Sequence, residues 1–386
     1  MGFLPFAPSG AATPGFYQQL GGAHSARLQG WFASLAGRQT QRADIALIGD
    51  SVTAGQGATT FPGTYAQLLP AQLRGRFPTP GLTAGGRGFL PPVIPPTNPT
   101  TFAPPYVALT GATVAQMAAG ALAGFGPNLV TYDLSIQAGV TLTYSLVGDS
   151  ADILWASNPG NGIFSWKVDA GAATQVPTSA AFNVANVTHV ALGSAGAHTL
   201  TIAFVSGSHT YVTGVVEYNT DFSSGIQVHD LGYSGSTSAF WTPTGAPGQA
   251  AALVPLSPGL IVIELGLNDL AAAITPAACA ANITALIAGC RAALTPPAPP
   301  FLLLAAYNAA SDGPETPAQW SQYVSAMTQV AAADSRGQVD ILDLTLRMPS
   351  TGAATTWGLY AGDGIHPVNA GHQMIADALT DFLSPA

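Results

Sequence analysis

The sequence predicts an α/β protein: a three-layer α/β/α domain built on a parallel sheet and interrupted by an inserted β-sandwich. Three observations carry this. Apolar runs of strand length, such as Ile45 to Ile48 and "GLIVIELG", alternate with helical patterns towards both ends of the chain. From about Tyr106 to Tyr218 the pattern changes to short runs rich in Thr, Val, Ile and aromatics, bounded by Gly, Asn, Asp or Pro. From about Gly225 the α/β alternation resumes. The organisation expected is one domain formed by residues 1–105 and 223–386, with residues 106–222 as the insertion.

In chain order, residues 23–37 read as an amphipathic helix with Leu28, Trp31, Phe32 and Leu35 on one side. The strand Ile45 to Ile48 follows, then a short helix from Tyr65 to Arg74. "GRGFLPPVIPPTNPTTFAPP" is too irregular for either element. "LVTYDLSI", "VTLTYSLV", "GIFSWKVDAG", "HTLTIAFVSG" and "TYVTGVVEY" read as strands of the insertion. "GIQVHDLG", "GLIVIELG", "FLLLAAY" and "VDILDL" read as strands of the resumed sheet. Helices are expected after Thr275, through Trp320 to Val330, and from about Asn369.

Thr275 followed by Pro276 is a helix start, and Ile283, Leu286, Ile287 and Cys290 have helical spacing. In that helix Cys279 and Cys290 lie about 16 Å apart along the axis. That is too far for a disulfide, so both are expected to be small buried residues.

Composition narrows the function. The net charge is −9 and Lys167 is the single lysine, so there is no basic stripe for nucleic acid or for an anionic membrane surface. Only 8% of residues are charged, against about 25% in a typical soluble domain. The mean hydropathy of +0.32 invites a membrane reading. The most apolar candidate, "VALTGATVAQMAAGALAGFG", has too few large side chains for an integral membrane segment. "MGFLPFAPSG" lacks the positive and apolar regions of a signal peptide.

The chemistry concentrates at strand ends, where a parallel sheet opens its crevice. Ser51 follows the strand Ile45 to Ile48. Gly232 to Gly235 and Asn268 follow two others, and Asp363 and His366 stand three apart before the last helix. A serine acylates well when a base takes its proton and a third group orients that base. Asp363 can orient His366, and His366 can face Ser51. The amides of Ser51 and Gly235 and the side chain of Asn268 can receive the developing oxyanion. Gly49-Asp50-Ser51-Val52-Thr53 lacks the second glycine of a G-x-S-x-G elbow, which disfavours the α/β-hydrolase superfamily.

"GDSVTAG", "LGYSGST", "GLND" and "DGIHP" resemble, in order, the four blocks of the SGNH hydrolases, also called GDSL esterases and lipases. The resemblance covers roughly residues 40–75 and 225–385. It implies a flavodoxin-like layering, with Ser51 as nucleophile and oxyanion donor. Gly235 and Asn268 become the other donors, His366 the base, and Asp363 its partner. GDSV stands for GDSL, and Asp230 stands where many members have asparagine. The insertion resembles the jelly-roll-like sandwich of some bacterial and phage-tail members.

The resemblance implies a serine esterase without metal or organic cofactor. The expected substrate is a short acyl ester, acetyl above all, on a carbohydrate or cell-envelope polymer. Alternatives are a carbohydrate-binding or phage-tail adhesion protein on the same scaffold, and a lipase-type esterase for longer acyl groups. An extracellular or virion-associated location is expected, and the sequence leaves the oligomeric state open. Asp50 is expected to stabilise a turn and to border the substrate cleft, with Phe240, Trp241, Trp357 and Tyr360 as further lining. The "GGRGF" loop, 85–89, is expected to reach the same cleft. His372 is expected to make a structural hydrogen bond. Trp155, Trp166 and Tyr211 are expected in the core of the insertion, with stacking on sugars as the alternative.

Overall fold

A computed structural model describes residues 26–82, 84–92, 107–110, 126–136, 139–242, 249–294, 296–305, 317–347 and 357–385. Five strands form a fully parallel sheet: β1 (Arg42–Gly49), β10 (Gly225–Asp230), β11 (Leu260–Glu264), β12 (Phe301–Ala305) and β13 (Val339–Asp343). Their order is β10-β1-β11-β12-β13. In chain order this is 2-1-3-4-5, the flavodoxin arrangement, whose crevice opens where the order reverses beside the first strand. β1, β11 and β12 are buried almost throughout, which explains their unbroken apolar sequences.

The longer described helices are α1 (Gln29–Gly37), α2 (Tyr65–Arg76), α3 (Pro276–Ala293), α4 (Pro317–Ala333) and α5 (Asn369–Phe382). They pack as two groups, α1, α2 and α5 in one and α3 with α4 in the other, and so give the three layers. α1 buries Trp31 and Leu35, and the Trp31 indole N–H donates to the carbonyl of Leu383 at 2.8 Å. α3 starts as expected, with the Thr275 hydroxyl oxygen accepting from the amide of Ala278 at 3.2 Å. Cys279 and Cys290 are free and buried on its inner face, where burial pushes both thiols up to about 12.

Among the described residues, the insertion and β2 form one antiparallel sheet of eight strands. β2 (Gly88–Leu90), β9 (Tyr211–Tyr218), β5 (Thr141–Ser157), β8 (Asn183–Ser206), β6 (Ile163–Val168) and β7 (Thr174–Pro177) neighbour one another in that order. β3 (Val107–Thr110) adds to β5, and β4 (Tyr132–Asp133) adds to β9. The sheet has its own core of Leu142, Tyr144, Ile153, Phe164, Leu200, Ile202 and neighbours. β5 changes partner along its length, from β3 to β9, and its pairing with β8 shifts register between Gly148 and Ser150.

β2 lies in the passage expected to be irregular, so the sheet begins before residue 106. The "GGRGF" loop is built into this sheet. Arg87 pairs with the buried Glu217, and Phe89 is buried in the main core. Trp155 packs edge-on against Phe164 and donates its indole N–H to the Thr188 hydroxyl at 3.0 Å, a core role. Most of the apolar stretch 107–126, beyond β3, lies outside the described residues. No described helix is long and apolar enough to cross a membrane.

Candidate active site

The site is assembled at the end of β1, beside the point where strand order reverses. β1 ends at Gly49, where any Cβ would strike the Thr53 side chain and come within 3.0 Å of Glu264 Oε2. The chain then turns through Asp50 and Ser51. Asp50 Oδ1 accepts from the Val52 amide at 2.9 Å, and the Gln56 amide donates to the Ser51 carbonyl at 2.9 Å. Gly57 sits at φ +89°, and a Cβ there would meet the Pro367 carbonyl and lie 3.0 Å from His366 Cβ. The glycine thus lets the serine loop lie directly against the histidine loop.

That second loop is closed by an isolated bridge between Tyr360 and Pro367 and by the Ala361 amide donating to the His366 carbonyl at 2.8 Å. Inside it, Asp363 Oδ1 accepts from the amides of Ile365 (2.9 Å) and His366 (3.0 Å). Asp363 Oδ2 lies 2.7 Å from His366 Nδ1, and His366 Nε2 lies 2.9 Å from Ser51 Oγ. Burial pushes the Asp363 carboxyl up, but these bonds from His366 and Ile365 outweigh it and hold the group below its ordinary range. It is the ionised partner an imidazole base needs. Asn369, at the start of α5, pins the two loops by accepting from the Thr59 amide and donating to the Thr59 hydroxyl, both at 2.8 Å.

The second block is strapped over the end of β1. The Tyr233 amide donates to the Gly49 carbonyl at 3.0 Å, and Gly232 has no room for a Cβ against Ala54. Gly235 sits at φ +77° with open space where a Cβ would be. Among the described residues, the amides of Ser51 and Gly235 have no protein acceptor. Asn268 enters from the one-turn helix Leu267–Ala271, which follows β11. Its Nδ2 donates to Asp50 Oδ2 (3.0 Å) and to the Ser236 carbonyl (3.1 Å). Both of its N–H bonds therefore have protein acceptors, and donation to an oxyanion requires one to be shared. The bond to the neutral carbonyl is the easier to give up.

The structure thus brings Ser51, His366, Asp363, Gly235 and Asn268 to one place. It corrects the expected cleft lining in part. Asp50 is 1% exposed, Trp241 1% and Tyr360 5%, so all three are buried and offer little surface to a cleft. Trp241 donates its indole N–H to the Ser236 hydroxyl at 2.9 Å, which fixes the second block. Phe240 at 37% and Trp357 at 63% are exposed and can border a cleft. His372 has the expected structural role: Nδ1 accepts from the Tyr65 amide at 3.3 Å and Nε2 donates to the Gln56 carbonyl at 3.2 Å. Burial pushes its imidazole down to about 4, so it stays neutral.

Sequence reasoning missed Glu264. It is buried at the end of β11, in register with Gly49, and its Oε2 accepts from the Thr53 hydroxyl at 3.0 Å. The signal was a carboxylate closing an otherwise apolar strand.

Asn268 yields a sharp expectation. Asn268→Ala should lower kcat for a simple ester by about a hundredfold or more. A loss below about threefold in the folded variant would remove its amide from oxyanion binding.

Comparisons with known proteins bear on the family and the fold. A sequence model described as the GDSL-like Lipase/Acylhydrolase family matches residues 202–374. The match begins within the inserted sheet, near the end of β8, and contains Gly235, Asn268, Asp363 and His366 but not Ser51. No curated protein matches in sequence. Among solved structures, a peptidoglycan O-acetylesterase superposes with a TM-score of 0.66 at 17% identity. That likeness covers 92% of this chain and 94% of the other, so it includes the inserted sheet. A family two carbohydrate esterase from Cellvibrio japonicus has a TM-score of 0.30 at 13% identity, covering 72% and 94% of the two chains. A salicylyl-acyltransferase from a tetracycline biosynthetic pathway has 0.33 at 15%, covering 65% and 82%.

Proposed function

We propose that this chain, which belongs by fold and family match to the SGNH (GDSL-like) hydrolases, cleaves short acyl esters on a carbohydrate or cell-envelope polymer through an acyl-enzyme on Ser51. The observation that carries the chemistry is the line of hydrogen bonds from Ser51 Oγ to His366 Nε2 and from His366 Nδ1 to Asp363. His366 takes the Ser51 proton as Oγ bonds to the ester carbon. The carbonyl oxygen becomes an anion and meets the amides of Ser51 and Gly235 and the Asn268 side chain. His366 then returns the proton to the departing alcohol. Water, deprotonated by the same imidazole, attacks the acyl-serine and releases the acid.

The preference for acetyl on a polymer has two supports. The neighbour that shares both the parallel sheet and the inserted sheet is described as a peptidoglycan O-acetylesterase. The second is the size of the insertion beside a single catalytic domain. An acyl-length series tests it. With p-nitrophenyl esters, kcat/KM should fall by about tenfold or more from acetyl to octanoyl. Acetate should also be released from O-acetylated peptidoglycan or acetylated xylan. A rate rising towards octanoyl would point to a lipase-type esterase. Glycan binding without turnover of any ester would point to an adhesion protein.

A further inference from the structure

Beneath the nucleophile's loop lies a buried chain of polar groups that the reaction above does not use. Asp50 has a donor for each carboxylate oxygen: the Val52 amide on Oδ1 at 2.9 Å and Asn268 Nδ2 on Oδ2 at 3.0 Å. Glu264 is differently placed. Its Oε2 accepts from the Thr53 hydroxyl at 3.0 Å and from the Asp50 amide at 3.4 Å. Among the described residues its Oε1, also buried, has no hydrogen-bond partner. The Thr53 hydroxyl is held in turn by Tyr65 Oη at 2.7 Å. Glu264 therefore touches the Asp50 backbone, whose side chain holds the proposed oxyanion donor.

We propose that Glu264 is a positioning residue: it fixes the Asp50 turn, and through Asp50 it aims the Asn268 amide at the developing oxyanion. This inference rests on the serine-esterase reading. Glu264 does this as a neutral acid. Two carboxylates this close, out of water, cannot both stay ionised cheaply. Asp50 has a donor on each oxygen to stabilise a charge, whereas Glu264 has donors on one oxygen only, so the proton rests more cheaply on Glu264.

The electrostatics agree. Burial and then the Asp50 charge push Glu264 well above the ordinary carboxylate range. Burial pushes Asp50 to about 6. The Val52 amide, Glu264 and the charge of His366 pull it down, while Asp269 pushes it up. Tyr65 faces the same cluster and is itself pushed far up by burial and by Glu264.

The test is a double-mutant cycle on full-length enzyme, read as kcat and KM for p-nitrophenyl acetate. Glu264→Ala should lower kcat by about tenfold to a hundredfold with little change in KM. Combined with Asn268→Ala it should add almost nothing, because both act through the same amide. Glu264→Gln has the same shape and no charge, and should keep kcat within about threefold at pH 8. Glu264→Met serves where the alanine variant does not fold, with the same loss expected.

Multiplicative losses in the cycle would overturn the positioning role. So would a Glu264→Gln loss of tenfold or more in a variant with a wild-type unfolding curve. Ser51→Ala, run beside them, separates the two readings. Turnover surviving that change would defeat the serine mechanism, whereas additivity of Glu264 with Asn268 would defeat only the inference about Glu264.

Discussion

Ser51→Ala should lower kcat for p-nitrophenyl acetate by about ten-thousandfold or more, with the circular dichroism spectrum unchanged. The size follows from the geometry. Ser51 Oγ is the hydroxyl at 2.9 Å from the His366 imidazole, and the proposed mechanism forms no acyl-enzyme without it. The fold should tolerate the change. Ser51 sits in a turn held by the Asp50 side chain and by main-chain bonds, none of which uses its hydroxyl. Ser234 and Ser236 lie in the neighbouring block, but their hydroxyls are committed to Gln56 and to the Gly49 carbonyl. Equal activity in wild type and variant would mean that another group is the nucleophile.

His366→Ala should cost about a thousandfold or more, again in kcat. Its two ring nitrogens have separate tasks. Nδ1 faces Asp363 at 2.7 Å, which fixes the tautomer with the proton on Nδ1 and leaves Nε2 free to accept from Ser51. Added imidazole should restore part of the rate if the void admits it. His372, the nearby alternative, is buried between Tyr65 and Gln56 and stays neutral. A His366→Ala variant that kept more than a tenth of the rate would show that another base serves the serine.

Much of this site could be read from the sequence because each piece is local. A strand that ends in a glycine presents Ser51, and an Asp-x-x-His loop needs only its own turn to pair the two side chains. Strand order did the rest, bringing the ends of β1, β10 and β11 together. What escaped was set by distant packing. Asp50, Trp241 and Tyr360 look like cleft residues by position, yet the structure turns all three inwards. Arg87 is held by Glu217, a residue far along the chain. Glu264 looked like the polar end of a strand, and only its register with Gly49 puts it under the Ser51 turn.

The inserted sheet was harder to read. Its long strands β5 and β8 run through Gly148 and through the Gly193 to Gly196 segment, residues that punctuate the pattern as turns would. The sequence expectation therefore broke each long strand short. The same insertion separates Ser51 from the other blocks, and the family match, which starts within the insertion at residue 202, leaves Ser51 out.

The central claim is that Ser51 carries the acyl group. Its most direct test is to treat the protein with a fluorophosphonate ester, which traps an activated serine, and to locate the adduct by tandem mass spectrometry. The account predicts one adduct, on Ser51, formed as esterase activity disappears and absent from the His366→Ala variant. An adduct on another residue, or full loss of activity with Ser51 unmodified, would contradict it.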